Sequence, residues 1–94
     1  MEIVIRHAVG VRHARSDALD QLEDLLATLR TLPELREKSR GSFYRGSRGF
    51  LHFHEDPAGL FVDVRLHDDF ERLRVSTKAE RAAFIRLVKK ALAA

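Results

Sequence analysis

The stretch that most constrains this chain is Asp56-Pro57-Ala58-Gly59, set between two runs whose apolar and polar residues alternate. A turn former, then Pro, then Gly at the fourth place is the type I preference, so the chain reverses here. A hairpin centred on that turn puts Glu55 opposite Leu60, His54 opposite Phe61, His52 opposite Asp63 and Phe50 opposite Arg65. Side chains alternate along a strand and directly paired residues share a face, so Leu51, Phe53, Val62 and Val64 collect on the other side. A slip by one residue would mix the two sets and leave no continuous apolar side.

Extending the pattern outward predicts a meander over 42–75 of four short strands. A connection at Gly46-Ser47-Arg48-Gly49 sets Arg45 beside Phe50 and Phe43 beside His52, and one at Asp68-Asp69 sets Arg72 beside Arg65 and Arg74 beside Asp63. The expected core face is Tyr44, Leu51, Phe53, Val62, Val64, Leu73 and Val75. The opposite face then carries Phe43, Arg45, Phe50, His52, His54, Phe61, Asp63, Arg65, Phe70, Arg72 and Arg74. Four phenylalanines on one open face exceed what a monomer usually exposes, so a cover is expected: the N-terminal strand, a helix or a second copy of the chain.

Before the meander, residues 2–9 alternate as a strand, Gly10 offers a turn, and Val11 to Ala14 read as a short return. His7 and His13 read as ordinary surface histidines. Ser16 or Asp17 is placed to cap a helix whose apolar stripe is Ala18, Leu19, Leu22, Leu25, Leu26 and Leu29, and Pro33 ends or kinks it at Leu32. Asp20, Glu23 and Asp24 match no loop that cages a hard cation and read as a solvated face. Residues 36–48 hold five basic side chains against one acid, an exposed basic lip at the sheet edge. Thr77-Lys78-Ala79-Glu80 is a capping box, and Ala83, Phe84, Leu87, Val88 and Ala91 form the stripe of a packing helix behind it.

The expectation is therefore one α+β domain over 1–94: a mainly antiparallel sheet of four to five strands with two amphipathic helices. Ninety-four residues, 45% of them hydrophobic, suffice for one core and not two. No cysteine is present, which excludes disulfides, thiolate metal sites and cysteine nucleophiles and points to a reducing cytoplasm. With neither a secretory leader nor a long apolar run, the expectation is a soluble protein without a membrane partner. Net charge is +3, from 17 basic and 14 acidic residues, well short of a nucleic-acid-binding tail.

Three functional readings follow. The first is a small binding or interaction module whose face of Arg45, Phe50, His52, His54, Phe61, Asp63, Arg65 and Arg74 holds an anionic small molecule or forms a homodimer, with no cofactor. The second is a metal site on His52, His54 and Asp63 for zinc or another divalent ion, with hydrolysis as its possible chemistry; two imidazoles two apart on a strand point the same way. Gly46 followed by His52-x-His54 resembles the opening of the cupin metal motif, but the Asp56-to-Gly59 turn replaces the glutamate that should follow. The third is a single-stranded nucleic-acid binder, from phenylalanines among arginines. Arg48-Gly49-Phe50 resembles the start of an RRM's central strand, although His52 and Glu55 stand where aromatics belong. No Ser-His-Asp spacing, phosphate loop or paired carboxylates in an apolar setting is present, so no residue is assigned a catalytic role.

Residues 32–66, with Phe50 to His54 and Asp63 to Arg65 as the matching motifs, resemble the small luciferase-domain family of microbial proteins, and the segment from Thr77 to Leu87 is compatible. The resemblance implies the sheet and singles out His52, His54 and Asp63. It implies no luciferase activity and no substrate.

Overall fold

The computed structural model describes residues 12–94. The strand expected at 2–9 and its turn lie outside the described residues. From Arg12 onward the order is β1 (Arg12–His13), α1 (Ser16–Gln21), α2 (Glu23–Arg30), β2 (Arg36–Ser39), β3 (Ser42–Arg45), β4 (Arg48–Asp56), β5 (Gly59–Val64), β6 (Glu71–Arg74) and α3 (Lys78–Ala93). The α+β class holds. The six strands form one antiparallel sheet in the order β2-β3-β4-β5-β6, and β1 also pairs with β4.

β4 is the spine of this sheet because it is nine residues long and serves three partners. One edge pairs with β5 from Leu51 to Asp56. The other is shared end to end: Ser42 to Arg45 of β3 pair with its first half, and Arg12 and His13 of β1 pair with Glu55 and His54. The β4–β5 hairpin has the expected register, with His52 opposite Asp63 and His54 opposite Phe61. Its turn is tied by Asp56 Oδ1, which accepts from the Ala58 amide at 2.7 Å.

All the helices lie on one side of the sheet. Leu19, Leu22, Leu25, Leu26 and Leu29 from α1, α2 and the residue between them join Phe84 and Val88 of α3 over Leu51, Phe53, Val62, Val64 and Val75 in a single core. The first helical stretch is broken at Leu22, which lies between α1 and α2, but its apolar stripe continues through the break. Its N-cap is Arg15 rather than Ser16 or Asp17; the Arg15 amide donates to Glu55 of β4 at 2.7 Å, so a tertiary carboxylate does the capping. The capping box of α3 is present as expected, with Thr77 and Glu80 bonded reciprocally. Its buried stripe is Phe84, Val88 and Leu92, and Leu87, expected there, is 42% exposed.

Two registers differ from expectation. The β3–β4 turn is the two-residue Gly46-Ser47, with Gly46 at φ 63°, so Arg45 pairs with Arg48 and not with Phe50. A bulge then sets Phe43 opposite Leu51 and Tyr44 opposite Gly49, leaving Phe50 as the extra residue. Phe43 and Phe50 consequently enter the core at 1% and 3% exposure, and Tyr44 leaves it. This face thus loses two of its four phenylalanines and keeps Phe61 and Phe70; the N-terminal strand expected as one cover lies outside the described residues. At the other edge the β5–β6 loop is longer than Asp68-Asp69, so Arg72 faces Asp63 and Arg74 faces Phe61, two residues from the expected partners. A slip of two leaves every side chain on its face.

The basic lip includes the edge strand β2, and within it Arg40 is the residue paired with acids, while Arg36, Arg45 and Arg48 have no carboxylate partner among the described residues. Arg40 bonds Asp20 and Glu23, Arg30 bonds Glu23 and Glu37, and Lys38 sits 4.2 Å over the Tyr44 ring. Of the acids of α1 and α2, Asp20 and Glu23 accordingly belong to a surface ion-pair network. Among the described residues no helix is long and apolar enough to cross a membrane.

The corrected β3 register sets the two aromatics apart. Phe43→Ala, which empties a fully buried site, is expected to cost about 3–5 kcal/mol in denaturant unfolding, and Tyr44→Ala under about 1 kcal/mol. Equal losses at the two positions would contradict the bulge.

Candidate metal centre

On the face away from the helices, strand pairing lines residues up in two rows across the sheet. One runs His13, His54, Phe61, Arg74 through β1, β4, β5 and β6; the other runs Ser42, His52, Asp63, Arg72 through β3, β4, β5 and β6. His52 and His54 are two apart on β4 and therefore neighbours on one side. Asp63 stands opposite His52 and leans diagonally toward His54.

The resulting distances are short. His54 Nε2 is 2.9 Å and His52 Nε2 3.7 Å from the same oxygen, Asp63 Oδ2. Ligand atoms from His52, His54 and Asp63 all fall within 4.8 Å of one another, the convergence that a single ion requires. His13 stands beside them, its ring centroid 4.9 Å from that of His54 and 5.5 Å from that of His52. His52 also meets the Phe70 ring edge-on at 5.3 Å.

His54 is the most unusual member. It is the one polar residue in the buried class among the described residues, at 8% exposure. Neither of its ring nitrogens has a hydrogen-bond partner there: Nε2 is close to Asp63 Oδ2, but not in the alignment of an N–H···O bond. A buried polar atom left without a partner carries a desolvation cost that native structures rarely leave unanswered. Burial pushes both His52 and His54 below the usual imidazole range, against the pull of Asp63 in the other direction, so both rings are neutral at neutral pH and their lone pairs are available. The His54–Asp63 contact is then not an ion pair.

Asp63 is answered from the other side. Arg72 holds it with two parallel bonds, Nε to Oδ1 at 2.7 Å and Nη2 to Oδ2 at 2.8 Å. Burial alone would raise the Asp63 carboxyl; the Arg72 bond and the nearby imidazoles outweigh it and hold the group below the ordinary carboxylate range. Each carboxylate oxygen has a second lone pair, so Oδ2 can serve Arg72 and a further electrophile together.

Of the residues expected on this face, the structure brings together His52, His54 and Asp63. Phe61 and Arg74 form a neighbouring pair, with the guanidinium 5.8 Å from the ring centroid and bonded to the Ala58 carbonyl at 2.7 Å. Arg65 lies over Phe70 at 4.3 Å, Arg45 is at the β3–β4 turn, and Phe50 is in the core. His13 and Arg72 are the members that sequence reasoning did not assign. The alternation around Val11 to Ala14 was a signal for a short strand, but no local pattern says that it pairs with β4. No known protein family, no curated protein and no solved structure matches the chain.

The lowered imidazole values set the sign of a pH effect. The unfolded chain takes up protons near pH 6.5 and the folded one only below that, so the unfolded state binds more protons in between and stability falls as pH drops through this window. Denaturant midpoints measured from pH 7.5 to 5 are expected to decline, and His54→Gln to flatten the decline. A midpoint that rises on acidification would contradict the buried neutral state.

Proposed function

We propose that this chain is a metal-binding module that takes one divalent transition ion between His52, His54 and Asp63, with His13 as the fourth ligand. The observation that carries the reading is His54, a buried imidazole with both nitrogens unpartnered among the described residues, close with His52 to one carboxylate oxygen. Imidazole nitrogens select zinc, copper, nickel or cobalt over magnesium and calcium, which require oxygen donors. His13 is exposed and its ring centroid is 4.9 Å from that of His54; a side-chain rotation that brought it to the other ligands would complete a set of three nitrogens and one oxygen suited to four-coordinate zinc. Arg72 is then the outer contact that fixes the Asp63 carboxylate. Four protein ligands leave no position for substrate, so the reading is of a module that holds its ion, not of a hydrolase.

The test is a titration followed by NMR and thermal unfolding. Zinc or nickel is expected to move the ring resonances of His13, His52 and His54 together and to raise stability by about 2.7 kcal/mol at a free concentration 100-fold above Kd. Cobalt is expected to give the visible absorption of a four-coordinate site. His54→Ala is expected to abolish these effects and His13→Ala to weaken them. Unchanged histidine resonances at millimolar zinc would leave the cluster as a polar network held by Arg72 alone.

A further inference from the structure

A second site lies at the end of the sheet where the β3–β4 turn meets the β5–β6 loop. Arg45, Arg48, Gly49, Phe50, Arg65, Leu66 and His67 line a cavity of about 110 Å³ there. It shares no residue with the histidine cluster and stands independently of the metal reading.

The three guanidiniums differ from those of Arg12, Arg30, Arg40, Arg72 and Arg74, though not from those of Arg15, Arg36, Arg81 and Arg86, which also have no carboxylate within 4.0 Å among the described residues; what sets them apart is that they line one cavity. Arg12, Arg30, Arg40, Arg72 and Arg74 each lie within 4.0 Å of a carboxylate. Among the described residues, Arg45, Arg48 and Arg65 pair with none, although Asp68 and Asp69 adjoin the cavity in sequence. Cross-strand pairing brings Arg45 directly opposite Arg48, a like-charge arrangement that costs stability. Arg65 is held in place: Nε donates to the Gly49 carbonyl at 3.2 Å, Nη1 donates to the Asp68 carbonyl at 3.0 Å, and the group lies 4.3 Å from the Phe70 centroid. Backbone oxygens and an aromatic face orient this cation without cancelling its charge, and its remaining donors keep their fork geometry.

We propose that this cavity binds a small tetrahedral oxyanion of the phosphate class, as the free ion or as the terminal group of a phosphate monoester, between Arg45, Arg48 and Arg65. Charge selects this ligand, since guanidiniums that line one small cavity bind phosphate oxygens through paired, charge-assisted bonds.

The experiment titrates metal-free protein with inorganic phosphate and, separately, with glycerol phosphate, each against sodium chloride of matched ionic strength, up to about 10 mM. Saturable shifts of the Arg45, Arg48 and Arg65 side-chain Nε–H signals and of the Gly49 amide, absent in chloride, are expected. Tighter binding of glycerol phosphate would assign the natural source to a monoester, and equal or weaker binding would assign it to the free ion. Arg45→Gln with Arg48→Gln, both exposed and so compatible with folding, is expected to weaken binding at least about tenfold. Shifts that follow ionic strength alone would overturn the proposal. So would equal affinity in the double variant, or binding of a single-stranded oligonucleotide that phosphate does not displace.

Discussion

Everything in this structure depends on the pairing of β4 with β5. Because the turn at Asp56 to Gly59 sets which residues face one another, it decides at once that Leu51, Phe53, Val62 and Val64 join the core and that His52, His54 and Asp63 do not. The same hydrogen bonds that bury four apolar side chains under the helices draw two imidazoles and a carboxylate together on the far side. A register shifted by one would exchange the two sets, so fold and site cannot be varied separately.

The second constraint is the length of β4. Nine residues are more than β3 can cover, and the free end of the strand takes β1 as its partner. That pairing brings His13 to His54, and it also places Glu55 at the start of α1, where it caps the helix through Arg15. The helix that seals the core and the histidine that enlarges the cluster are thus anchored at the same strand end. At the opposite end, where the β3–β4 turn and the β5–β6 loop meet, Arg45, Arg48 and Arg65 gather with no carboxylate paired to them among the described residues, and Phe70 lies between this arginine cluster and the histidines, its ring against both His52 and Arg65.

What the sequence disclosed follows from how local each signal is. The central hairpin was legible because Asp56, Pro57 and Gly59 specify a turn by themselves and the flanking runs alternate without interruption. The capping box at Thr77 and the leucine stripe from Leu19 to Leu29 are equally local. The β3 register was not, because the bulge at Phe50 is one extra residue in an otherwise regular pattern, and two adjacent phenylalanine-bearing strands fit either phase. Arg72 was misplaced by two residues because loop length, not alternation, sets that offset. Of the candidate site, the pair on β4 and the acid on β5 could be read from the sequence. His13 could not, since its role rests on a contact between strands 41 residues apart that neither periodicity nor turn chemistry specifies.

In the structure His13, His52, His54 and Asp63 come together on one face of the folded chain before anything binds there. Nuclear Overhauser contacts among the histidine ring protons of the metal-free protein test this convergence most directly. Cross-peaks linking the His13 ring to those of both His52 and His54, together with a contact from His52 to Phe70, are the predicted result. A His54 ring that instead contacts Leu26 or Val88 in the core, with none to His13, would contradict it.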